Sequence, residues 1–251
     1  MPLLELRSLR VRFGGKMAVD GVDLVADAGC VTGLIGPNGA GKTTCFNVIT
    51  GLQEPSQGTV VLDGVDITRL RPHRRARVGL ARTFQRLELF GSLSVRENVQ
   101  VAVEIAGRAD GDRGGRTAGD RAGAAGTVLD RVGLAAVAGE RADSLPTGLA
   151  RLVELARAIA TRPRLLLLDE PASGLDEAET AGLARLLVDL ATDGMAILLV
   201  EHDMALVMEV CRTVHVLDNG SVLAVGTPAE VQRDPAVAEA YLGADTRLAP
   251  A

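Results

Sequence analysis

Residues 36–44, Gly-Pro-Asn-Gly-Ala-Gly-Lys-Thr-Thr, constrain this chain more than any other stretch of it. Gly36, four residues, then Gly41-Lys42-Thr43 is the spacing of a phosphate-binding loop. The flanks suit one: Val31 to Ile35 is a short β-rich run, and Thr43 to Ile49 can form a helix. Glycines let successive backbone N–H groups converge on phosphate oxygens, and the helix N-terminus adds a partial positive charge. Lys42 can reach the β- and γ-phosphates, and the Thr43 hydroxyl can hold Mg²⁺. A glycine-rich turn with a chance lysine is the bland alternative, and the strand and helix on either side disfavour it. The loop implies a nucleoside triphosphate.

A second run completes that chemistry. Leu165 to Leu168 is continuously apolar, as expected for a parallel strand buried on both faces, and Asp169-Glu170 follows at once. Ligands sit at the C-terminal ends of strands in open α/β sheets, so Asp169 is placed to enter a Mg²⁺ sphere. Glu170, next in line, can polarise an attacking water.

With 251 residues the chain can build one large α/β domain or two modest lobes, and 47% hydrophobic content supports a substantial core. Aromatics supply only 2%, so Leu, Val, Ile and Ala must fill it. A net charge of −5 gives no basic field of the kind that binds nucleic acid. The arginines at 69, 71, 74, 75, 77 and 82, with His73 among them, are expected to form a solvated face. Cys30, Cys45 and Cys211 are scattered and lack metal-site spacing, so reduced core thiols are expected. No apolar run is long enough to span a bilayer, and a cytoplasmic chain is the expectation.

Residues 3–26 read as strands around Phe13-Gly14-Gly15, and Thr59–Leu62 with Val65–Ile67 as a hairpin turning at Asp63-Gly64. Ser94 with Glu97 predicts a capped helix to about Ala106. Residues 107–126 contain seven glycines and no apolar period, which predicts a mobile loop. Helical pattern returns at Thr127–Val132 and Leu149–Ala160, where Leu152, Leu155, Ala156 and Ile159 share a face. Ile197–Val200 reads as a second buried strand. Asn219-Gly220 marks a hairpin, and Thr227-Pro228-Ala229-Glu230 a capped helix start. Strands and helices alternating around a parallel sheet, with a helical insertion near 90–160, place the chain in the α/β class.

Just before the strand at Leu165, Ser144-Leu145-Pro146-Thr147-Gly148-Leu149-Ala150-Arg151 opens a helix. The arrangement resembles the ATP-binding cassette proteins, whose signature Leu-Ser-Gly-Gly-Gln stands at this place. Arg82-Thr83-Phe84-Gln85, Ser173-Gly174-Leu175-Asp176 and Val200-Glu201-His202-Asp203 follow in family order. Singly each is weak: Asp176 with Glu179 is a competent helix cap, and a histidine after a strand is usually structural. Phe13-Gly14-Gly15, Leu89-Phe90 and Tyr241-Leu242-Gly243 extend the resemblance toward the ATPase subunits of branched-chain amino acid importers. Related amide, urea and lipid-export ATPases share several of these features.

The resemblance implies a P-loop ABC cassette with a RecA-like parallel-sheet core, an antiparallel β subdomain and a helical subdomain. Residues 1–85 and 161–251 would form the catalytic lobe of one cassette, and about 86–160 the helical part. Phe13 would stack the adenine, a core aromatic being the alternative. Gly36, Pro37, Asn38, Gly39, Ala40, Gly41, Lys42, Thr43 and Thr44 would wrap the ATP. Thr43, Gln85 and Asp169 would complete the Mg²⁺ sphere. Glu170 would be the general base, and His202 would touch the γ-phosphate. Leu145, Pro146, Thr147 and Gly148 would serve the ATP of a facing second ATPase subunit, and Asp176 would belong to the D-loop. The implied partners are that subunit, membrane permease subunits and a solute-binding protein, with the chain on the inner face of the membrane. A soluble ATPase of translation or DNA repair, or the ATPase of a lipid exporter, shares the chemistry. One departure stands out: Pro146 occupies the signature serine position, and Thr147 and Leu149 replace Gly and Gln.

Overall fold

Strands Pro2–Phe13 (β1) and Lys16–Asp27 (β2) pair antiparallel about Gly14-Gly15, alternating apolar and polar so that one face is buried. Val31–Ile35 (β3) is buried at every residue and runs through the loop into the helix Lys42–Thr50 (α1). Gln57–Leu62 (β4) and Val65–Asp66 (β5) make the expected hairpin, and β4 lies against β1 to give a sheet ordered β2-β1-β4-β5. Here a computed structural model describes residues 2–84, 87–109 and 118–246.

Pro72–Arg77 (α2) and Leu80–Arg82 (β6) follow, and then the helix Val95–Ala109 (α3). Its start is the expected box: Ser94 N–H donates to Glu97 Oε2 at 2.7 Å and Glu97 N–H to Ser94 Oγ at 3.2 Å. The helix Ala118–Val132 (α4) corrects the loop expected over 107–126: α3 runs three residues beyond Ala106, and residues 118–126 are helical despite Gly119, Gly123 and Gly126. Tertiary burial overrides local propensity there, because Ala125, Leu129 and Val132 pack into the core. Residues 110–117 of that expected loop lie outside the described residues.

Thr147–Ala160 (α5) leads into Leu165–Asp169 (β7), then Glu177–Thr192 (α6) and Ala196–Val200 (β8). Met204–Val210 (α7) precedes the hairpin Thr213–Asp218 (β9) and Ser221–Gly226 (β10), which turns at Asn219-Gly220 with both residues at positive φ. Pro228–Arg233 (α8) and Pro235–Thr246 (α9) complete the described chain, and Thr227 caps α8 as its sequence predicts. The second sheet has the order β10-β9-β3-β8-β7-β6, parallel from β9 to β6. Its central strands β3, β7 and β8 are buried throughout, as their unbroken apolar runs require.

Two arginines depart from the expected solvated face. Arg75 is 1% exposed. Its guanidinium donates to the carbonyls of Val48, Ile49, Thr68 and Leu70 at 2.6–2.8 Å. The first two are last-turn carbonyls of α1, so the cation adds to the Gly51 N–H at Val48 O, satisfies Ile49 O and complements the helix dipole. Arg82 is buried beside the site described below. The three cysteines are free and buried, and burial pushes the thiols of Cys45 and Cys211 up to about 12, leaving them inert. Among the described residues, no helix is long and apolar enough to cross a membrane.

Candidate functional site

Because β3, β6, β7 and β8 run parallel, their C-terminal ends share one edge of the sheet. That edge delivers Gly36, the segment Thr83-Phe84, Asp169-Glu170 and Glu201-His202 to one neighbourhood. Gln85 lies outside the described residues.

Gly36 sits at φ 146, and a Cβ there would lie 2.0 Å from the Leu217 carbonyl, so only glycine makes this turn out of β3. Gly41 caps α1 in the left-handed region. Lys42 folds back over the loop and donates to Gly36 O at 2.5 Å and Pro37 O at 3.0 Å. Burial pulls its ammonium pKa down, while the carboxylates of Glu170 and Asp169 oppose that shift. Residues Asn38 to Thr44 line a cleft of about 390 Å³ together with Phe13, Glu170 and His202. Phe13 is 52% exposed on the cleft wall, an accessible ring and not a core aromatic. At the back of the loop, the half-buried Tyr241 of α9 shares a hydrogen bond with the Gly36 backbone.

Glu170 occupies the left-handed region at φ 52, a costly position for a non-glycine residue, with its N–H bonded to Val200 O at 2.8 Å. His202 Nε2 donates to Glu170 Oε1 at 2.9 Å. Glu201 is buried and splints the same edge, accepting from Ala172 N–H at 2.8 Å and His202 N–H at 2.9 Å. Asp169 is 1% exposed, and burial raises its pKa while the bonded Arg82 lowers it. Its Oδ2 accepts from Arg82 Nη2 at 3.0 Å, whereas Oδ1 is buried with no hydrogen-bond partner. A hard carboxylate oxygen with a free lone pair and the exposed Thr43 hydroxyl on α1 are donor types that suit Mg²⁺.

Leu145, Pro146, Thr147 and Gly148 do not line that cleft; they form the start of α5. Pro146 is the residue before the first helical turn, and its carbonyl accepts from Ala150 N–H at 3.0 Å. A proline there gives up no helical hydrogen bond. Nor does a side chain cap the helix, so its first N–H groups are left for an outside acceptor. Gly148 is packed so tightly that a Cβ would lie 2.7 Å from the Gly174 carbonyl. Asp176 caps α6 in a reciprocal box with Glu179.

Further along α5, three side chains on one face hold the segment after β6. Arg151 Nη1 donates to Phe84 O at 2.8 Å, and the buried Glu154 accepts from Glu88 N–H at 2.6 Å. Arg157 donates to Glu88 O and stacks over the Phe90 ring at 4.7 Å. Arg82, Asn47, Glu154 and Glu201 escape sequence reasoning, because a charged or polar side chain does not reveal its partner. A larger cavity of about 540 Å³ lies between α3, α4, α5 and α6, lined by groups such as Val103, Val128, Ile159 and Leu190. It has no glycine cradle, unlike the smaller cleft.

Comparison with known proteins agrees with this geometry. The ABC transporter family profile matches residues 19–173, and that of the branched-chain amino acid ATP-binding cassette transporters matches residues 221–246. The chain is 41% identical to the high-affinity branched-chain amino acid transport ATP-binding protein BraF of Pseudomonas aeruginosa, covering 96% of this chain and 98% of that protein. It is 33% identical to the lipopolysaccharide export system ATP-binding protein LptB of Escherichia coli, over 99% and 100% of the two chains. The ADP conformation of MJ1267, an ATP-binding cassette of an ABC transporter, superposes with a TM-score of 0.86 at 30% identity, covering 97% of this chain and 99% of that one. A cradle of this shape at the edge of a parallel sheet, with family likeness over nearly its whole length, means that this chain belongs to the ABC transporter family of ATP-binding cassettes.

Proposed function

We propose that the chain is the ATP-hydrolysing subunit of an importer for branched-chain amino acids or related small amino acids and amides. The observation that carries the transport reading is the likeness to BraF across nearly the whole chain, together with the match of residues 221–246 to the branched-chain family. ATP lies with its adenine against Phe13 and its phosphates over Gly36–Thr44. Lys42 exchanges two carbonyl acceptors for anionic phosphate oxygens, a charge-assisted and stronger set of bonds. Thr43, Asp169 and Gln85 would hold Mg²⁺, which would supply positive charge to offset that of the phosphates.

Hydrolysis requires a water to attack the γ-phosphorus as the bond to the β-phosphate oxygen breaks. Glu170 takes the proton of that water, and His202, bonded to the same carboxylate at 2.9 Å, fixes its direction. The remaining donors to the γ-phosphate come from the α5 N-terminus of a second ATPase subunit facing the first, with Thr147 supplying a hydroxyl where Pro146 has none. The segment from Gln85 to Val99 meets the membrane permease. Such a subunit works against the inner face of the membrane, and a solute-binding protein delivers the cargo outside.

The test is to purify the chain with its permease subunits, reconstitute the complex, and add solutes one by one. Stimulation of ATP hydrolysis by leucine, isoleucine or valine supports the reading. Stimulation only by a lipid would replace the importer with an exporter.

A further inference from the structure

We propose that Arg82 is a positioning residue of the catalytic site, pinning one oxygen of Asp169 so that the other faces the nucleotide-bound metal ion. The proposal rests on the reading of Asp169 as a Mg²⁺ ligand. Both side chains are nearly sealed, at 7% exposure for Arg82 and 1% for Asp169. Arg82 Nη2 donates to Asp169 Oδ2 at 3.0 Å while Nη1 donates to Asn47 Oδ1 at 2.7 Å. Phe46 and Phe84 flank the guanidinium, with ring centres 5.4 Å and 5.0 Å away.

Arg–carboxylate pairs frequently close both carboxylate oxygens in a bidentate fork. This one does not: Asp169 Oδ1 and Arg82 Nε are both buried without hydrogen-bond partners. An orphaned buried acceptor needs an explanation, and here a bound cation supplies one. The guanidinium also reaches three segments at once. Asn47 is on α1, which carries Thr43. Asp169 ends β7. Phe84 lies just after β6. α1 and β7 carry the proposed metal ligands Thr43 and Asp169, and partners that orient such ligands typically affect metal affinity about 10–100-fold. A lysine keeps the charge but loses the planar fork and the stacking between the rings.

The test follows metal binding directly, using the full chain with ADP and Mn²⁺ observed by electron paramagnetic resonance. Arg82→Gln should raise the Mn²⁺ half-saturation point about 10–100-fold, with Arg82→Lys between it and the parent. ADP affinity in EDTA should stay within about twofold, because the cradle is untouched. Half-saturation unchanged or lowered in Arg82→Gln would overturn the proposal, a lowering meaning that the arginine competes with the metal. Asp169→Asn separates the two readings. If it leaves half-saturation unchanged, the ligand assignment fails and this proposal with it; if it weakens Mn²⁺ while Arg82→Gln does not, only the positioning role falls. Should Arg82→Gln fail to fold, Asn47→Ala removes the other anchor of the same guanidinium. It should raise half-saturation, and no rise would count against the proposal.

Discussion

The cradle at Gly36–Thr44 and the start of α5 are both helix entrances containing glycine and without a side-chain cap, yet their surroundings differ. At the cradle the chain supplies its own partners: Lys42 bonds the Gly36 and Pro37 carbonyls, and Gly41 caps α1. At α5, Pro146 offers no side-chain cap, and the first turn is held from behind by Gly174. Neither helix start has a side-chain cap, but the first opens into a cleft walled by Phe13, Glu170 and His202 of its own chain. The other has its back fixed and its donors left over, which suits a surface that finishes another molecule's site.

The largest effect that separates the two is expected from Glu170→Gln, which should lower turnover about 10²–10⁴-fold with ATP affinity in the parent range. Near-normal hydrolysis would overturn its role as base. Next is Gly148→Ala, whose Cβ would have to move the backbone of Gly174, 2.7 Å away. A displacement near 1 Å can cost about 10²-fold in rate. ATP binding, measured with a fluorescent analogue, should be unchanged, and a parallel loss of binding would erase the contrast between the two entrances.

Stability changes come next. Arg75→Met removes a donor from four carbonyls, of which only Val48 O keeps another in the Gly51 N–H, and should destabilise the fold by about 3 kcal/mol, lowering Tm by roughly 6–12 °C. A shift of a degree or two would show that water replaces the guanidinium. The smallest effect concerns His215, buried in β9 with Nδ1 unbonded. Burial lowers its pKa, with a backbone hydrogen bond to Val25 acting the other way. The unfolded chain therefore takes up a proton before the folded one does. Stability is full above about pH 6.5 and falls on acidification below it, by at most about 1.4 kcal/mol per pH unit from this group. His215→Gln should flatten that part of the stability–pH curve.

Sequence was most informative where chemistry demands a residue type. The strand and helix on either side of Gly36–Gly41, the buried strand ending at Asp169, the Asn219-Gly220 turn and the caps at Ser94, Asp176 and Thr227 form as their residues predict, since each is a local rule with a local signature. Residues 118–126 misled because glycine count measures propensity, and burial of Ala125 and Leu129 outweighs it. Arg75 and Arg82 misled for a related reason. An arginine among arginines reads as solvated, and only the folded chain brings Val48, Ile49 and Asp169 to meet them. The grip of Arg151, Glu154 and Arg157 on residues 84–90 was invisible for the same cause, joining segments more than sixty residues apart.

The central claim is that this chain binds ATP alone but hydrolyses it only with a second ATPase subunit across the cradle. The most direct measurement follows ATP bound and ATP hydrolysed in one sample as the chain is diluted, with and without its partner ATPase subunit. Binding per chain should stay constant, while hydrolysis per chain should fall on dilution and return when the partner is added. Hydrolysis at full rate from a chain that light scattering shows to be monomeric would contradict the account.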